Sequence, residues 1–407
     1  MRAAASGDRA PSAHRVYPGQ GDGFVRVGVC VRLFEGKRVK VKVGLVLGAG
    51  GVLGGAWLVG GLSALARETD WDPGSADQIV GTSAGSMIGG LVAAGIPPWF
   101  MVAHSRGEVF EGLAGPDGRP AAEADRSAGA NFRLHRGLPA IGPGSLRMAF
   151  KALSNPLRHT PLQMVAGWLP SGFVSTDSLK EVVNRAVPGD WVEHPNYWAV
   201  ACDYESGRRT PFGRLGSPSA HIADAVAASC AIPGFYRPVK IRGRRYVDGG
   251  VCSVSNMDLV AGRGFDLVIC LNPLTSSSEG QSHSRGIRGL PGSAINGALD
   301  FVPSLTRRAS RARLEREERK VRRFGTEVVI IEPTAEDHAA MGHNWMNSER
   351  RQDVIDTAEE TVARQLRSPA IRKLLEGLPS GEPHKISRPS GPPSSWPEMR
   401  SAVRRAA

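Results

Sequence analysis

The segment Gly81-Thr82-Ser83-Ala84-Gly85 constrains the fold more than any other part of the chain. It is a Gly-x-Ser-x-Gly pentapeptide that joins the end of an apolar run to the beginning of a helix-like one. Such a serine lies on a tight strand-to-helix turn, where the glycines relieve backbone crowding and the hydroxyl projects into an open site. A helix that begins near Ala84 directs the positive end of its dipole at the serine and at any oxyanion beside it. The pattern predicts a nucleophile; a glycine-rich turn with a structural serine is the alternative.

A second glycine-rich turn precedes this one. The apolar run 43–47 predicts a buried strand, residues 48–54 (Gly-Ala-Gly-Gly-Val-Leu-Gly, ending at Gly54) predict a loop, and a helix is expected over 54–67. Consecutive glycines allow successive backbone N–H groups to point the same way and to form a nest for an anion.

A third turn follows a short β-type run, in Tyr246-Val247-Asp248-Gly249-Gly250. Asp-Gly is also a common turn in which the aspartate bonds its own backbone, so alone this segment favours a structural role. Beside the serine and the anion-binding loop, however, Asp248 supplies the third part of an acyl-transfer site. Nucleophile, oxyanion stabiliser and base are then all present.

In these residues the chain resembles the patatin-like phospholipases, lipid acyl hydrolases with a Ser-Asp dyad. The resemblance covers about 43–275 and extends to about 366. It includes the block Ala228 to Phe235, which is similar to the family's Ala-Ser-x-x-x-Pro, and Asp248-Gly249-Gly250, which is similar to its Asp-Gly-Gly/Ala motif. It implies an α/β three-layer sandwich with a mostly parallel central sheet and helices on both faces. It also implies that Ser83 is the nucleophile and Asp248 the base.

The glycine loop departs from the family pattern, which often has Gly-Gly-Gly-x-Arg/Lys-Gly. Ala49 occupies the first glycine position and Leu53 the basic one. Lower activity or a less anionic substrate would follow from the missing charge. Backbone donors do not depend on side chains, and we assign the oxyanion hole to the amides of Gly50, Gly51 and Val52.

The alternation of elements predicts the layout of the fold. Strands at 43–47 and 77–81 alternate with helices at 54–67 and 84–95, which favours a parallel sheet. Right-handed crossovers would place both glycine-rich turns at the carboxyl edge of that sheet. The further predicted elements are a helix at 176–187, strands at 197–204 and 209–213, a helix at 219–230, a strand at 244–247, a helix near 255–262, a strand at 266–271, a helix at 303–324, a strand at 326–332 and a helix at 347–366.

Three regions are expected along the chain. Residues 1–42 form a basic, poorly ordered extension with an edge strand near 25–33, residues 43–366 form the catalytic domain, and residues 367–407 form a disordered tail rich in Pro, Ser and Arg. The irregular part of the domain at about 104–172 is interpreted either as a lid or acyl-chain wall over the site, or as a plain surface insertion.

The charge is positive and unevenly placed. The net charge is +12, and residues 1–43 and 305–323 each hold nine Lys or Arg against three Asp or Glu. A basic surface attracts anionic headgroups or nucleic acid, or is only a solvated face. We expect an acyl-lipid substrate and peripheral contact with an anionic membrane, and no specific nucleic-acid partner. The sequence does not fix the oligomeric state.

Neither a cofactor nor a metal is expected, because no Asp/Asn-rich loop with calcium-ligand spacing is present. Five scattered cysteines favour reduced thiols in the cytoplasm, and Cys230 and Cys252 are interpreted as packing residues. The N-terminus has no apolar signal region, so a cytoplasmic or peripheral protein is expected. Residues 43–66 and 79–103 carry no charged side chain, which buried strand-turn-helix units explain without membrane spans.

The nearest alternative is a Ser-His-Asp esterase of the α/β-hydrolase type, with His338 or His343 as the late histidine. In that fold another βα unit separates the oxyanion glycines from the nucleophile, whereas here the two turns belong to consecutive units.

Two other classes are less well supported. A dinucleotide-binding protein would need a third glycine where Leu53 stands. A catalytically weak, basic membrane-binding scaffold would leave the serine and the aspartate unexplained.

Overall fold

The computed structural model describes residues 41–108, 133–134, 142–154, 160–187, 189–276 and 310–387. The chain divides at Lys40 into two units, and all of the described residues lie in the second. The predicted edge strand near 25–33 therefore lies outside the described residues, as does most of the segment 104–141.

A mixed sheet of eight strands forms the centre, in the order β5-β6-β3-β2-β1-β7-β8, with β4 paired to β3. The pairs among β3, β2, β1, β7 and β8 are parallel, whereas β4, β5 and β6 are antiparallel to their neighbours. In chain order the strands are Val43–Leu47 (β1), Gln78–Thr82 (β2), Tyr197–Asp203 (β3), Arg209–Phe212 (β4), Val239–Ile241 (β5), Arg244–Asp248 (β6), Leu267–Leu271 (β7) and Glu327–Ile331 (β8).

Helices pack around this sheet. They are Gly51–Thr69 (α1), Ala84–Ala93 (α2), Pro98–Ser105 (α3), Leu146–Ser154 (α4), Pro161–Ala166 (α5), Asp177–Ala186 (α6), Ile222–Ser229 (α7), the described residues 310–322 of α8, Ala335–Met341 (α9), Arg351–Leu366 (α10), Pro369–Leu375 (α11) and Pro383–Ile386 (α12).

Both faces of the sheet are covered, as alternate residues of β1 show. Leu45 and Leu47 belong to a core that includes residues of α1, α2 and α10. Val46 belongs to a second core with Leu314 and Val321 of α8. Because successive side chains of a strand point to opposite faces, the two cores lie on opposite sides of the sheet. The predicted α/β three-layer architecture is confirmed.

The sheet register brings distant turns to one level. Thr82 at the end of β2 lies opposite Val200 of β3, and Asp248 at the end of β6 lies opposite Ala201, the next residue of β3. Ser83, which follows Thr82, is therefore level with Asp248 across one intervening strand. Two strand spacings amount to roughly 10 Å between backbones, a distance that two side chains leaning towards each other can bridge.

The uncharged stretches 43–66 and 79–103 form β1 with α1, and β2 with α2 and α3. Among the described helices, none alone has both the length and the apolar character needed to cross a bilayer. Helices α2 and α3 are long and apolar enough only when taken together, and the two helices are bent by 118° relative to each other.

Several predicted helices differ from the structure in their bounds, and two of the differences concern the site. The first predicted helix begins at Gly51 rather than at residue 54, so most of the predicted loop is the first turn of α1. The helix predicted near 255–262 is only a 3₁₀ turn at Met257–Val260, because Asn256 adopts the left-handed conformation with φ of 54° and interrupts any longer helix.

The predicted disordered tail also differs from the structure in part. Helices α11 and α12 lie inside 367–407, and Pro369 and Pro383 stand in their first turns, where the missing amide of proline costs nothing. Residues 388–407 lie outside the described part of the chain.

Candidate active site

Ser83 lies between β2 and α2 in a strained backbone conformation. Its φ and ψ are 54° and −123°, a region that residues with a Cβ rarely occupy and that marks functional turns. The side chain is almost completely buried, at 4% exposure. The carbonyl oxygen of Ser83 accepts a hydrogen bond of 2.7 Å from the Ser86 hydroxyl, which fixes the first turn of α2.

The flanking glycines are required by the packing of this turn. A Cβ on Gly81 would overlap the carbonyl oxygen of Gly85, and a Cβ on Gly85 would overlap the carbonyl oxygen of Leu47 at the end of β1. Helix α2 can therefore begin directly against the neighbouring strand only because both residues are glycine. The same contact brings the serine turn against the start of the glycine loop.

Asp248 meets Ser83 from the other side of β3. The amide of Gly250 donates a hydrogen bond of 2.7 Å to Asp248 Oδ1. Burial raises the pKa of the Asp248 carboxyl from 3.8 to about 6, although the nearby Ser83 hydroxyl and the Gly250 amide both oppose this shift. Burial disfavours the charged form of a carboxyl group, so Asp248 is a stronger base than an exposed aspartate. The Ser83 hydroxyl is thus near enough to the carboxylate to affect its pKa.

The glycine loop adjoins both of these turns. A Cβ on Gly85 would also lie 2.7 Å from the carbonyl oxygen of Gly48, and one on Gly250 would lie 3.5 Å from the Cβ of Ala49. Among the described residues, none accepts a hydrogen bond from the amides of Gly50, Gly51 and Val52. They are the unsatisfied donors of the α1 N-terminus, where an anion is favoured.

Leu53 and the loop are braced by a part of the chain that the sequence analysis did not connect with the site. The Leu53 amide donates a 3.0 Å hydrogen bond to the carbonyl oxygen of Trp345, and Met346 lies against Gly51. The Leu53 side chain, at the position where the family has a basic residue, is fully buried in the main core. No side-chain cation can act from this position.

Ser229 is a second residue whose role the sequence reasoning missed. Its hydroxyl accepts a 2.9 Å hydrogen bond from the Ser83 amide and donates one of 2.6 Å to the carbonyl oxygen of Val200. It therefore ties the serine turn to β3, the strand between Ser83 and Asp248. In the sequence, Ser229 is marked only by its place in the Ala-Ser-x-x-x-Pro block. This pattern does not indicate which residues its hydroxyl would contact.

Asn256 supports the same turn one residue earlier. Its side-chain amide donates hydrogen bonds to the Thr82 hydroxyl, at 3.0 Å, and to the carbonyl oxygen of Ser253, at 2.6 Å. Its amide oxygen accepts a bond from Arg209, which also pairs with Asp258. Nothing in the local sequence indicates this long-range contact.

The cysteines near the site are buried thiols. Cys230 lies 3.9 Å from the Ser86 hydroxyl, and burial raises the pKa of its thiol far above the ordinary range. Cys252 is buried directly after the Asp248 turn and accepts a hydrogen bond from Gln163. A thiol with a raised pKa is a poor nucleophile at neutral pH, so the geometry favours the packing role predicted for Cys230.

The two histidines that the alternative esterase would use have other surroundings. His338 is in α9, with its ring 6.2 Å from that of Trp345, and His343 is exposed. Within the described ranges, no histidine contacts the Ser83 or Asp248 side chain. The same ranges contain no group of three or more His, Cys, Asp or Glu side chains that could hold a metal ion.

Fold and site together place the protein among α/β proteins that carry a serine at a strand-to-helix elbow. The model of the patatin-like phospholipase family matches residues 45–261. This is more than half of the chain, so the protein belongs to the patatin-like phospholipase family, and a lipid acyl hydrolase activity follows at that general level. Among solved structures, a crystal structure of VipD from Legionella pneumophila is similar, with 13% identity over 90% of this chain and 74% of that chain and a TM-score of 0.37.

Proposed function

We propose that the protein hydrolyses carboxylic esters of lipids through a Ser83–Asp248 dyad. The observation that carries this proposal is the sheet register, which brings Ser83 level with Asp248, a buried carboxylate whose pKa is raised to about 6 although the nearby Ser83 hydroxyl lowers it. A nucleophilic serine needs a base within hydrogen-bond reach, and we assign that position to Asp248, which has a basicity suited to neutral pH.

In the acylation step, the Ser83 oxygen attacks the ester carbonyl carbon while its proton moves to Asp248. The C–O bond to the leaving alcohol then breaks, and Asp248 returns the proton to the alkoxide. In deacylation, Asp248 takes a proton from the attacking water and later returns it to Ser83. A carboxylate is a weaker base than imidazole, so the barrier must also be lowered by electrostatic stabilisation.

The proposed oxyanion donors are the amides of Gly50, Gly51 and Val52. They are supported by the position of the loop beside both turns and by the unsatisfied N-terminus of α1. Loss of one such donor typically costs ~3 kcal/mol of transition-state stabilisation. Because Leu53 is apolar and buried, these donors and the helix dipole act without a side-chain cation.

We further propose that the substrate is an acyl ester held in a lipid surface, reached by peripheral contact with an anionic membrane from the cytoplasm. The net charge of +12 supports an anionic surface over a neutral one.

Covalent trapping tests the proposal. A fluorophosphonate probe should label wild-type protein on the peptide that contains Ser83, and p-nitrophenyl butyrate should be hydrolysed. Ser83→Ala should abolish both signals, and Asp248→Asn should remove most of the hydrolysis while leaving the fold intact. A panel of phospholipids, lysophospholipids and glycerides presented to the wild type then identifies the lipid class.

Matched variants separate the dyad from its alternatives. Ser63→Ala, a buried serine of α1, and Asp177→Asn, an exposed aspartate of α6, should keep wild-type rates. The double variant His338→Ala/His343→Ala should also stay active. Loss of hydrolysis in the histidine double variant, with its fold intact, would instead favour a Ser-His-Asp mechanism.

A further inference from the structure

Helices α4 and α5 and the turn that follows α5 expose large apolar side chains to solvent. Five of these side chains are each at least 43% exposed, and we call this set the docking face: Leu146, Phe150, Leu153, Val165 and Trp168. The rings of Phe150 and Trp168 are in edge-to-face contact, with centroids 5.8 Å apart, so the exposed side of α4 and the turn after α5 form one patch. Contiguous apolar patches of this kind mark interaction sites on soluble proteins.

The pattern within α4 shows that this exposure is a property of the helix face. Leu146, Phe150 and Leu153 recur at i, i+4 and i+7, which places them on one side. Met148 and Ala149 point the other way and are buried. The helix therefore has one apolar side against the protein and a second apolar side against solvent.

Positive charge borders the docking face. Arg147 and Lys151 are exposed on α4, one turn apart, beside the apolar stripe. Neither has a carboxylate partner in the part of the chain that the structure describes. In the sequence, residues 126–176 contain six Lys or Arg and no Asp or Glu. No carboxylate in this segment therefore opposes an anionic partner.

A concavity of about 600 Å³ adjoins the charged side of α4. It is lined by Arg147, Glu205, Lys240, Gly243, Arg244 and Arg245. Arg244 pairs with Asp203, and Arg245 pairs with Glu205. Arg147 and Lys240 are left without a carboxylate among the described residues, so the concavity offers two cations to an anionic group such as a phosphate.

The start of α5 is attached to the turn that holds Asp248. The Thr160 hydroxyl donates a 2.6 Å hydrogen bond to the carbonyl oxygen of Val251, and the Gln163 side chain bonds Cys252. Val251 and Cys252 directly follow the Asp248 turn. Helix α5 is therefore joined directly to the residues that follow the candidate base.

We propose that the docking face inserts into an anionic phospholipid bilayer, with Arg147, Lys151 and Lys240 binding headgroup phosphates. Aromatic and aliphatic side chains flanked by cations are the composition that partitions into the headgroup region of a bilayer. Charge complementarity favours this partner, since an apolar protein surface would offer no negative group to Arg147, Lys151 and Lys240. The inference rests on the proposed function only in that such a bilayer would supply the ester substrate.

Vesicle binding by the full-length Ser83→Ala protein tests this without any contribution from hydrolysis. Vesicles of phosphatidylcholine containing about 30% phosphatidylserine should bind the protein at least about tenfold more tightly than vesicles of phosphatidylcholine alone. Adding Phe150→Glu should weaken binding by about tenfold or more. Adding Arg147→Gln/Lys151→Gln should weaken it by about fivefold for each cation removed.

Matched controls carry the same substitutions elsewhere. Phe324 is 63% exposed against 60% for Phe150, so Phe324→Glu changes charge and exposed apolar area equally. Arg316→Gln/Arg319→Gln removes two exposed cations from α8. Both controls should bind as the parent does. All variants should keep the parent's thermal unfolding temperature, because the substituted side chains are exposed.

The proposal is overturned if the docking-face variants bind as the controls do, or if Ser83→Ala protein binds neither vesicle. It is also overturned if sedimentation shows that Phe150→Glu converts a dimer to a monomer while vesicle binding is unchanged, since the face would then join two copies. Hydrolysis of p-nitrophenyl butyrate by wild type without vesicle binding would reject this inference and leave the proposed function standing. Vesicle binding without hydrolysis of any ester would do the reverse.

Discussion

At the scale of single residues, Asp248 must be buried to be basic and ionised to act. Burial pulls its pKa in one direction and the nearby Ser83 hydroxyl and Gly250 amide in the other, and burial is the largest influence. One pKa unit corresponds to ~1.4 kcal/mol between the two protonation states. The rise in the pKa of Asp248 from 3.8 to about 6 therefore means that its ionisation costs substantial free energy in the folded protein. This cost follows from burying a base beside Ser83.

The pH dependence of hydrolysis should reveal this shift. Because the reaction needs the ionised carboxylate, kcat/KM for a soluble ester should fall as pH drops through about 6 and should be level above it. With an ordinary aspartate as the base, the rate would stay level until the pH fell to about 4. The measurement is a pH–rate profile with thermal unfolding followed over the same range. If kcat/KM of the folded protein fell only near pH 4, Asp248 would not be the base.

Ser229 should act as a positioning residue for Ser83. Ser229→Ala removes the partner of the buried Ser83 amide and one hydrogen bond to the Val200 carbonyl, so the free energy of unfolding in urea should fall by ~1–3 kcal/mol. Displacing the nucleophile by a fraction of an ångström should lower kcat about tenfold or more with little change in KM.

Ser63→Ala is the matched control, because it also removes a buried hydroxyl, one that donates to Glu359 at 2.7 Å. It should lower stability and leave kcat unchanged. Equal kcat values for Ser229→Ala and wild type would show that Ser229 serves stability alone.

At the scale of elements, the junction of β1, β2 and α2 depends on backbone approach that only glycine permits. Gly85→Ala would place its Cβ on the carbonyl oxygen of Leu47, so α2 must move away from β1. We expect the free energy of unfolding to fall by ~3 kcal/mol or more and hydrolysis to be lost.

Gly55→Ala is the control within α1. The nearest atom to its added Cβ would be the Ala84 Cβ, at 3.7 Å, an ordinary contact. Alanine is favoured over glycine inside a helix by up to ~1 kcal/mol, so this variant should be as stable as wild type or more stable. Denaturant unfolding of Gly85→Ala and Gly55→Ala tests this prediction. If the two variants were equally stable, the turn at Gly85 would accommodate a Cβ.

The elements also show where sequence reasoning reaches its limit. The apolar run Val43–Leu47 predicts β1 with its observed bounds, because a strand buried on both faces needs no polar residue. Strand β5 is missed, since three residues carry no periodic signal. For α9 the sequence indicates only a helix start, at the capping box of Thr334 and Asp337, because no long apolar face follows it.

For the candidate site, the three turns can be placed in sequence because glycine and local chemistry mark them. The contacts between them cannot. The bond from Ser229 to Ser83 spans residues 146 apart in the chain, and the bond from Asn256 to Thr82 spans 174. Such pairs depend on sheet order and register, which one sequence with only local patterns does not determine.

At the scale of the whole molecule, the family match ends at residue 261 but the fold does not. Strand β8 extends the sheet beyond β7, and α10 packs along α1, where a Cβ on Gly60 would overlap the carbonyl oxygen of Ile355. The carbonyl oxygen of Trp345 also accepts from the amide of Leu53. We therefore propose that the catalytic domain extends to about residue 366, as the alternation of elements predicts.

Truncation tests this extent. Removal of everything after residue 333 deletes α10, whose large buried side chains are Val354, Ile355, Val362 and Leu366. At ~1.5–3 kcal/mol for each buried aliphatic side chain, the loss is about 6–12 kcal/mol, comparable with the ~5–15 kcal/mol that stabilises a whole domain. Residues 41–333 should therefore neither fold nor react with a fluorophosphonate. Residues 41–387, which keep α10 to α12, should retain the melting temperature and ester hydrolysis of the full chain. A folded, labelled 41–333 protein would show that the site needs only the region matched by the family.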